Sequence, residues 1–110
     1  MINWARIADL RSEIGEDDFL EVVALFFEEA DEVAALLLGP PDLSAVESRL
    51  HFLKGSALNL GLTDLATLCQ NGEKSAASGG AATVALQDVA AIYAASKSAL
   101  LGSLMRAGAG

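Results

Sequence analysis

The sequence predicts an all-α protein: an antiparallel up-down four-helix bundle with a short additional helix at its N-terminal end. Three observations lead there. Hydrophobic residues make up 53% of the 110 residues and only two prolines interrupt them, a composition that favours packed helices over strands or disorder. Apolar residues recur at steps of three and four along several segments, which is the period of one helix face. Glycine and proline clusters separate those segments by joins too short to divide domains, so residues 1–110 read as a single domain with one core.

The first helix is expected from about Asn3 to Ile14, with Gly15 as its stop. The second opens on Glu16, Asp17 and Asp18, acids that suit the positive end of a helix dipole. Its core stripe is Phe19, Val22, Val23, Phe26, Ala30, Val33 and Leu37, and Gly39-Pro40-Pro41 ends it. Asp42 or Ser44 is placed to cap the third helix, expected over about 42–60 with the stripe Leu43, Val46, Leu50, Leu53, Ala57 and Leu60. Gly61 then supplies a left-handed stop, and Thr63 is placed to cap a fourth helix that buries Leu65, Leu68 and Cys69. Ser78-Gly79-Gly80 makes the next turn. The fifth helix shows Leu86, Val89, Tyr93, Leu100 and Leu104 before fraying into Gly108-Ala109-Gly110. Four long amphipathic helices with short joins form the bundle, and the first helix covers one end.

A formal net charge of -8 excludes nucleic acid and anionic membrane surfaces as partners, since both demand a basic face. No run approaches the roughly 18 uncharged apolar residues of a membrane span. Met1 to Asp18 is acid-rich and lacks the basic-then-apolar pattern of an export signal, and the single Cys69 has no partner for an internal disulfide. A cytoplasmic setting is expected. With one histidine and no second ligand at a useful spacing, no transition-metal centre is expected. Glu28, Glu29, Asp31 and Glu32 read as a solvated helix face, and Cys69 as a small core residue.

That one histidine, His51, lies inside the third helical pattern. On a wheel of about 100° per residue it falls roughly 130° from the centre of the apolar stripe, so it looks outward. Glu47, Lys54, Gly55 and Leu58 are its neighbours at three and four residues. A solvated imidazole serves readily as both nucleophile and leaving group near neutral pH. Lys54 can set a point charge against phosphoryl oxygens, and Gly55 leaves bare backbone beside the ring. A glycine inside a helix costs about 1 kcal/mol relative to alanine, so something should offset it. Ser56 and Ala57 allow close helix packing, and Leu58 offers an apolar contact to a docking partner. Each residue also has a bland reading. An isolated surface histidine is ordinarily inert, Lys54 alone is a solvated charge, Gly55 alone permits a tight crossing, and single exposed leucines are common.

Together, His51-x-x-Lys54-Gly55-Ser56-Ala57-x-x-x-Gly61 resembles the signature of histidine-containing phosphotransfer (HPt) domains, the intermediates of multistep phosphorelays. Leu65, Leu68 and Cys69 fall where that family places apolar residues on its next helix. Glu73, twenty-two residues after His51, stands where many members carry an acid or amide near the imidazole. Gly15 to Ala30 is similar to the family's second helix. The resemblance implies that His51 accepts a phosphoryl group on Nε2 from a receiver-domain aspartate and passes it to another. It further implies that Lys54 supports that group, Gly55 keeps access open and Glu73 holds the other ring nitrogen. Gly72 departs from the family's larger apolar residue, and is expected to loosen the fourth helix beside Glu73.

The resemblance makes the chain a phosphocarrier rather than an enzyme, binding no cofactor of its own; Mg²⁺ belongs to the receiver. The expected partners are receiver domains of response regulators or hybrid sensor kinases, docking over Glu47, Ser56 and Leu58. Leu20 and Phe27 spill past the second helix's core stripe and either join that surface or lie under the first helix. A monomer is expected, although pairing through the fifth helix stays open. Two alternatives remain: a phosphate-accepting module loaded in trans by a chemotaxis-type kinase, and a helical adaptor that binds receivers without transfer.

Overall fold

The computed structural model describes residues 2–40 and 42–109, with side chains through residue 104. Within them the chain is helical without a strand: α1 Trp4–Ile14, α2 Glu16–Leu38, α3 Val46–Leu60, α4 Thr63–Ser75 and α5 Leu86–Ala109. A wide turn over Ala76–Gly80 and a 3-10 turn over Ala81–Thr83 join the last two. Each of α2, α3, α4 and α5 packs on the next, and α5 returns against α2, closing an antiparallel four-helix ring. Phe19, Val46, Leu50, Leu53, Leu60, Leu62, Leu65, Cys69, Val89 and Leu100 are fully buried inside it.

α1 is fastened across the C-terminal end of α3. Asn3 caps it, its Oδ1 accepting from the Arg6 N–H at 3.2 Å, and the Asn3 N–H donates to the Gly61 carbonyl at 2.7 Å. Arg6 Nε reaches the Asn59 carbonyl at 3.1 Å. Gly61 has φ +72°, and a Cβ there would lie 3.0 Å from both Asn3 O and Arg6 Cβ, so the left-handed stop and the seat of α1 both require glycine. At the next corner Arg11 grips Glu16 through two hydrogen bonds and lies 5.3 Å from the centre of the Phe19 ring.

The structure corrects several expectations. α3 begins at Val46, not near residue 42. The Asp42 carboxylate instead accepts from the Ser44 N–H and hydroxyl, closing a turn that competes with the helix start and leaves Leu43 exposed. Ala45 takes the capping position with no side-chain bond, and at α4 that position belongs to Leu62 rather than Thr63. On α2, Val22 faces out, while Phe27 and Ala34 are buried. α2 packs on both α3 and α5, so its apolar face is wider than one stripe and is centred nearer Phe27. α5 continues through Ala109 rather than fading at Gly108. Met1, Pro41 and Gly110 lie outside the described residues.

Phe27 sits against α5, its ring 6.3 Å from that of Tyr93, and Lys97 Nζ is 5.4 Å from its centre. Above it, Tyr93 Oη donates to Asp31 Oδ1 at 2.5 Å and Lys97 Nζ donates to both Asp31 oxygens at 2.8 and 3.0 Å. Asp31 is therefore a clasp between α2 and α5 and not part of a merely solvated face. The hydrogen bond from Lys97, then that from Tyr93, holds its carboxyl below the usual range.

Ser96 fills the gap in the α5 stripe between Tyr93 and Leu100. It is fully buried, and its hydroxyl has no hydrogen-bond partner among the described residues. A buried unsatisfied hydroxyl costs about 1–3 kcal/mol. Ser96→Ala is expected to stabilise the protein by about 1 kcal/mol, read as a thermal midpoint raised by roughly 4 °C. An unchanged or lower midpoint would show that the hydroxyl is satisfied in solution.

Candidate functional site

His51 stands one and a half turns into α3 on the face turned away from the core, while Leu50 and Leu53 on either side are fully buried. Its side chain is 72% exposed. Nδ1 lies 2.5 Å from Oε1 of Glu73, which α4 presents from the neighbouring helix. The other carboxylate oxygen, Oε2, accepts from Lys54 Nζ at 2.5 Å. One carboxylate thus bridges two residues of α3 that are one turn apart. The hydrogen bond from Lys54, opposed by some burial and reinforced by His51, holds the Glu73 carboxyl below the usual carboxylate range.

That electrostatic state fixes the tautomer. An ionised carboxylate only accepts, so Nδ1 must carry the ring proton. In the neutral imidazole the lone pair is then on Nε2, the nitrogen that Glu73 does not hold, on a side chain 72% exposed. Beside it Gly55 opens the surface: a Cβ at that position would meet nothing within 4 Å. Ser44, Glu47, Ser48, His51 and Glu73 line a shallow depression on the N-terminal side of the ring.

Gly72, expected to loosen α4, does the reverse. It is buried, and a Cβ there would lie 2.8 Å from Leu50 Cδ1 and 3.1 Å from Val84 Cγ1. The missing side chain lets α3 and α4 approach directly beneath the His51–Glu73 contact, so the glycine tightens the region.

Among the residues expected to meet a partner, Glu47 and Leu58 are exposed and Ser56 is half-buried. Leu20 is exposed on α2, but Phe27 is buried under α5 and is withdrawn from the docking surface. The exposed face also includes two residues outside that set. Val22 and Leu25 are 41% and 54% exposed and share a groove with Ser56 and Asn59. Leu25 lies off the core stripe of α2, so a helical wheel of that segment would have exposed it.

Residues 21–108 match the family model of the Hpt domain. The chain belongs to the Hpt domain family. Hpt domains act in histidine phosphotransfer within phosphorelays, as phosphocarriers that meet receiver domains, and the helical bundle found here is of that kind. Comparison with curated proteins and with solved structures returned no match. Among the described residues of this Hpt domain no helix is long and apolar enough to cross a membrane, and no three His, Cys, Asp or Glu side chains gather as metal ligands.

Behind the site, the Cys69 thiol is fully buried and pushed up to about 12, chiefly by burial and secondarily by the nearby Glu73 carboxylate. It is an acid whose pKa is raised on folding. Its contribution to stability is therefore intact below its ordinary value of 9.0 and is lost as pH rises towards about 12. Tyr93 is also raised, by burial and then by its bond to Asp31, and loses its contribution from pH 10 upward. Denaturation midpoints should fall between pH 9 and 12, and Cys69→Ala should flatten the early part of that fall. Equal slopes for the two proteins would remove Cys69 from the account.

Glu73→Ala removes the ring's hydrogen-bond partner and leaves Lys54 without its carboxylate. The variant is expected to lose the single Nδ1–H tautomer with circular dichroism unchanged, as ¹⁵N chemical shifts of the ring would show.

Proposed function

We propose that this Hpt domain accepts a phosphoryl group on Nε2 of His51 from the aspartyl phosphate of a receiver domain and delivers it to the aspartate of another. The observation that carries the reading is the pairing of an exposed His51 side chain with a Nδ1 held by Glu73. The Nε2 lone pair attacks phosphorus, the bond from phosphorus to the aspartyl oxygen breaks, and the aspartate carboxylate leaves with the electron pair. Nδ1 keeps its proton throughout. The positive charge that develops on the ring meets the Glu73 carboxylate, as in other carboxylate-backed imidazoles. Transfer onward is the same step reversed on a second receiver.

In such a transfer the work is positioning and charge neutralisation. Lys54 holds Glu73 through one N–H and has two further N–H groups for the phosphoryl oxygens. Gly55 admits the partner's loop, and the exposed Leu58, Leu20, Val22 and Leu25 supply apolar contact. Mg²⁺ comes with the receiver's acidic pocket. The reading is of a monomeric, cytoplasmic carrier. Incubation with a phosphorylated receiver is expected to label the chain with phosphate that is acid-labile and alkali-stable, as an N-linked phosphate must be. A chain that stays unlabelled by every receiver of its source organism, or one labelled with acid-stable phosphate, overturns the proposal.

One observation also favours loading by a kinase in trans: the Glu73 bond orients His51 for any phosphoryl donor, ATP-derived ones included. Labelling by a candidate kinase with ATP, compared with labelling by a receiver, separates the two.

A further inference from the structure

We propose that Gly72 is a positioning residue for His51, acting through Leu50 and Glu73. The proposal rests on the phosphotransfer reading of the site. Two consecutive pairs of residues face each other where α3 meets α4. Leu50 and Gly72 meet on the core side; His51 and Glu73, the next residue on each helix, meet at the surface. The inner pair governs the outer one. Leu50 is fully buried, and its Cδ1 occupies the space into which any side chain at position 72 would project. Val84, from the segment joining α4 to α5, closes the same space from the other side at 3.1 Å. A methyl group at position 72 therefore has no empty volume to enter, because packed interiors hold few voids of that size.

Two responses to such a methyl are open. Either Leu50 shifts beneath the adjacent His51, or α4 withdraws and carries Glu73 with it. The second lengthens the contact between Nδ1 and Oε1, which is the bond that selects the ring tautomer, and Leu50, fully buried, has little room for the first. In contrast, the backbone of α4 would gain from alanine, since glycine is among the poorest residues for a helix interior. The glycine at 72 thus forgoes helix propensity in exchange for close approach. Helix propensity alone predicts looseness at this position; the packing instead sets the distance between His51 and Glu73.

The experiment compares wild type, Gly72→Ala and Leu50→Val/Gly72→Ala by ¹⁵N chemical shifts of the His51 ring and by the rate of labelling from a phosphorylated receiver. In wild type the shifts are expected to report a single Nδ1–H tautomer. Gly72→Ala should give a mixture of tautomers and a labelling rate lower by about 10-fold, since small misplacements of reacting groups have effects of that order. Leu50→Val shortens the opposing side chain, so the double variant should recover both readings. An unchanged tautomer in Gly72→Ala, or a loss that Leu50→Val fails to restore, overturns the proposal. Should Gly72→Ala not fold, the double variant decides alone: a folded protein with the wild-type tautomer supports it, and any other result overturns it. The tautomer reading needs no phosphate. If wild type is never labelled, the phosphotransfer reading fails while the positioning role is still judged.

Discussion

His51→Gln is expected to abolish labelling from phosphorylated receiver while leaving the fold intact. Glutamine approximates the reach of the imidazole but offers an amide, whose nitrogen lone pair is delocalised and does not attack phosphorus. Its carbonyl and amino groups remain able to meet Glu73 and water, so no buried polar group is stranded. Because the native side chain is 72% exposed, the replacement deletes almost no buried surface. Surface changes of this type fall within about 0.5 kcal/mol of wild-type stability. The decisive comparison is the phosphate incorporated by the two proteins at equal concentration, with thermal melts run alongside. A His51→Gln protein that is labelled at the wild-type rate places the acceptor elsewhere and removes the relay reading. Unchanged receiver binding by His51→Ala, with no transfer by wild type, would leave an adaptor.

Much of this site is legible in the sequence alone. The outward direction of His51 follows from helical period alone, because Leu50, Leu53 and Ala57 define the inward side and all three are buried. Gly55 reads as open space for a related reason: it is four residues from the histidine on the same outer face. What one chain's pattern cannot supply is the meeting of two helices. Glu73 is nineteen residues from Lys54 and twenty-two from His51, and its two hydrogen bonds depend on the register of α4 against α3. Gly72 shows the point most clearly. In sequence it is a weak helix former, and in the fold it is the contact that permits the register.

The errors in the fold have physical causes of the same type. Phe27 spills past a stripe drawn for one neighbour, which leaves it either on the docking surface or under α1; α5 claims that face instead through Tyr93 and Lys97. Leu43 fits the period of α3, but the Ser44 N–H donates to the Asp42 carboxylate and holds the backbone in a turn before the helix. Asp31 reads in sequence as one of four solvated acids, but α5 brings Tyr93 and Lys97 to it. Local pattern assigned these residues to the right helix or its approach; only packing determined what they touch.

Leu53→Ala is expected to be strongly destabilising, and its effect separates stability from partner contact. Leu53 lies between His51 and Lys54 in sequence, yet it is fully buried, so truncation leaves a cavity beneath the site. Such substitutions lose about 2–5 kcal/mol, the spread reflecting how far the surroundings collapse. Against a total of about 5–15 kcal/mol for a domain of this size, that is a large fraction. Urea titration should show the midpoint falling with the slope unchanged, because the surface exposed on unfolding is nearly the same. Leu58→Ala is the counterpart on the opposite face. Leu58 is 61% exposed, so its truncation should leave stability within about 0.5 kcal/mol of wild type. If Leu58 belongs to the docking surface, the same variant should weaken receiver binding by about 1 kcal/mol or more, roughly fivefold in affinity. Leu53→Ala, assayed under conditions where it is fully folded, should bind receiver like wild type. Should Leu58→Ala bind normally and Leu53→Ala lose binding while still folded, partner recognition would depend on the core beneath α3 rather than on its exposed face.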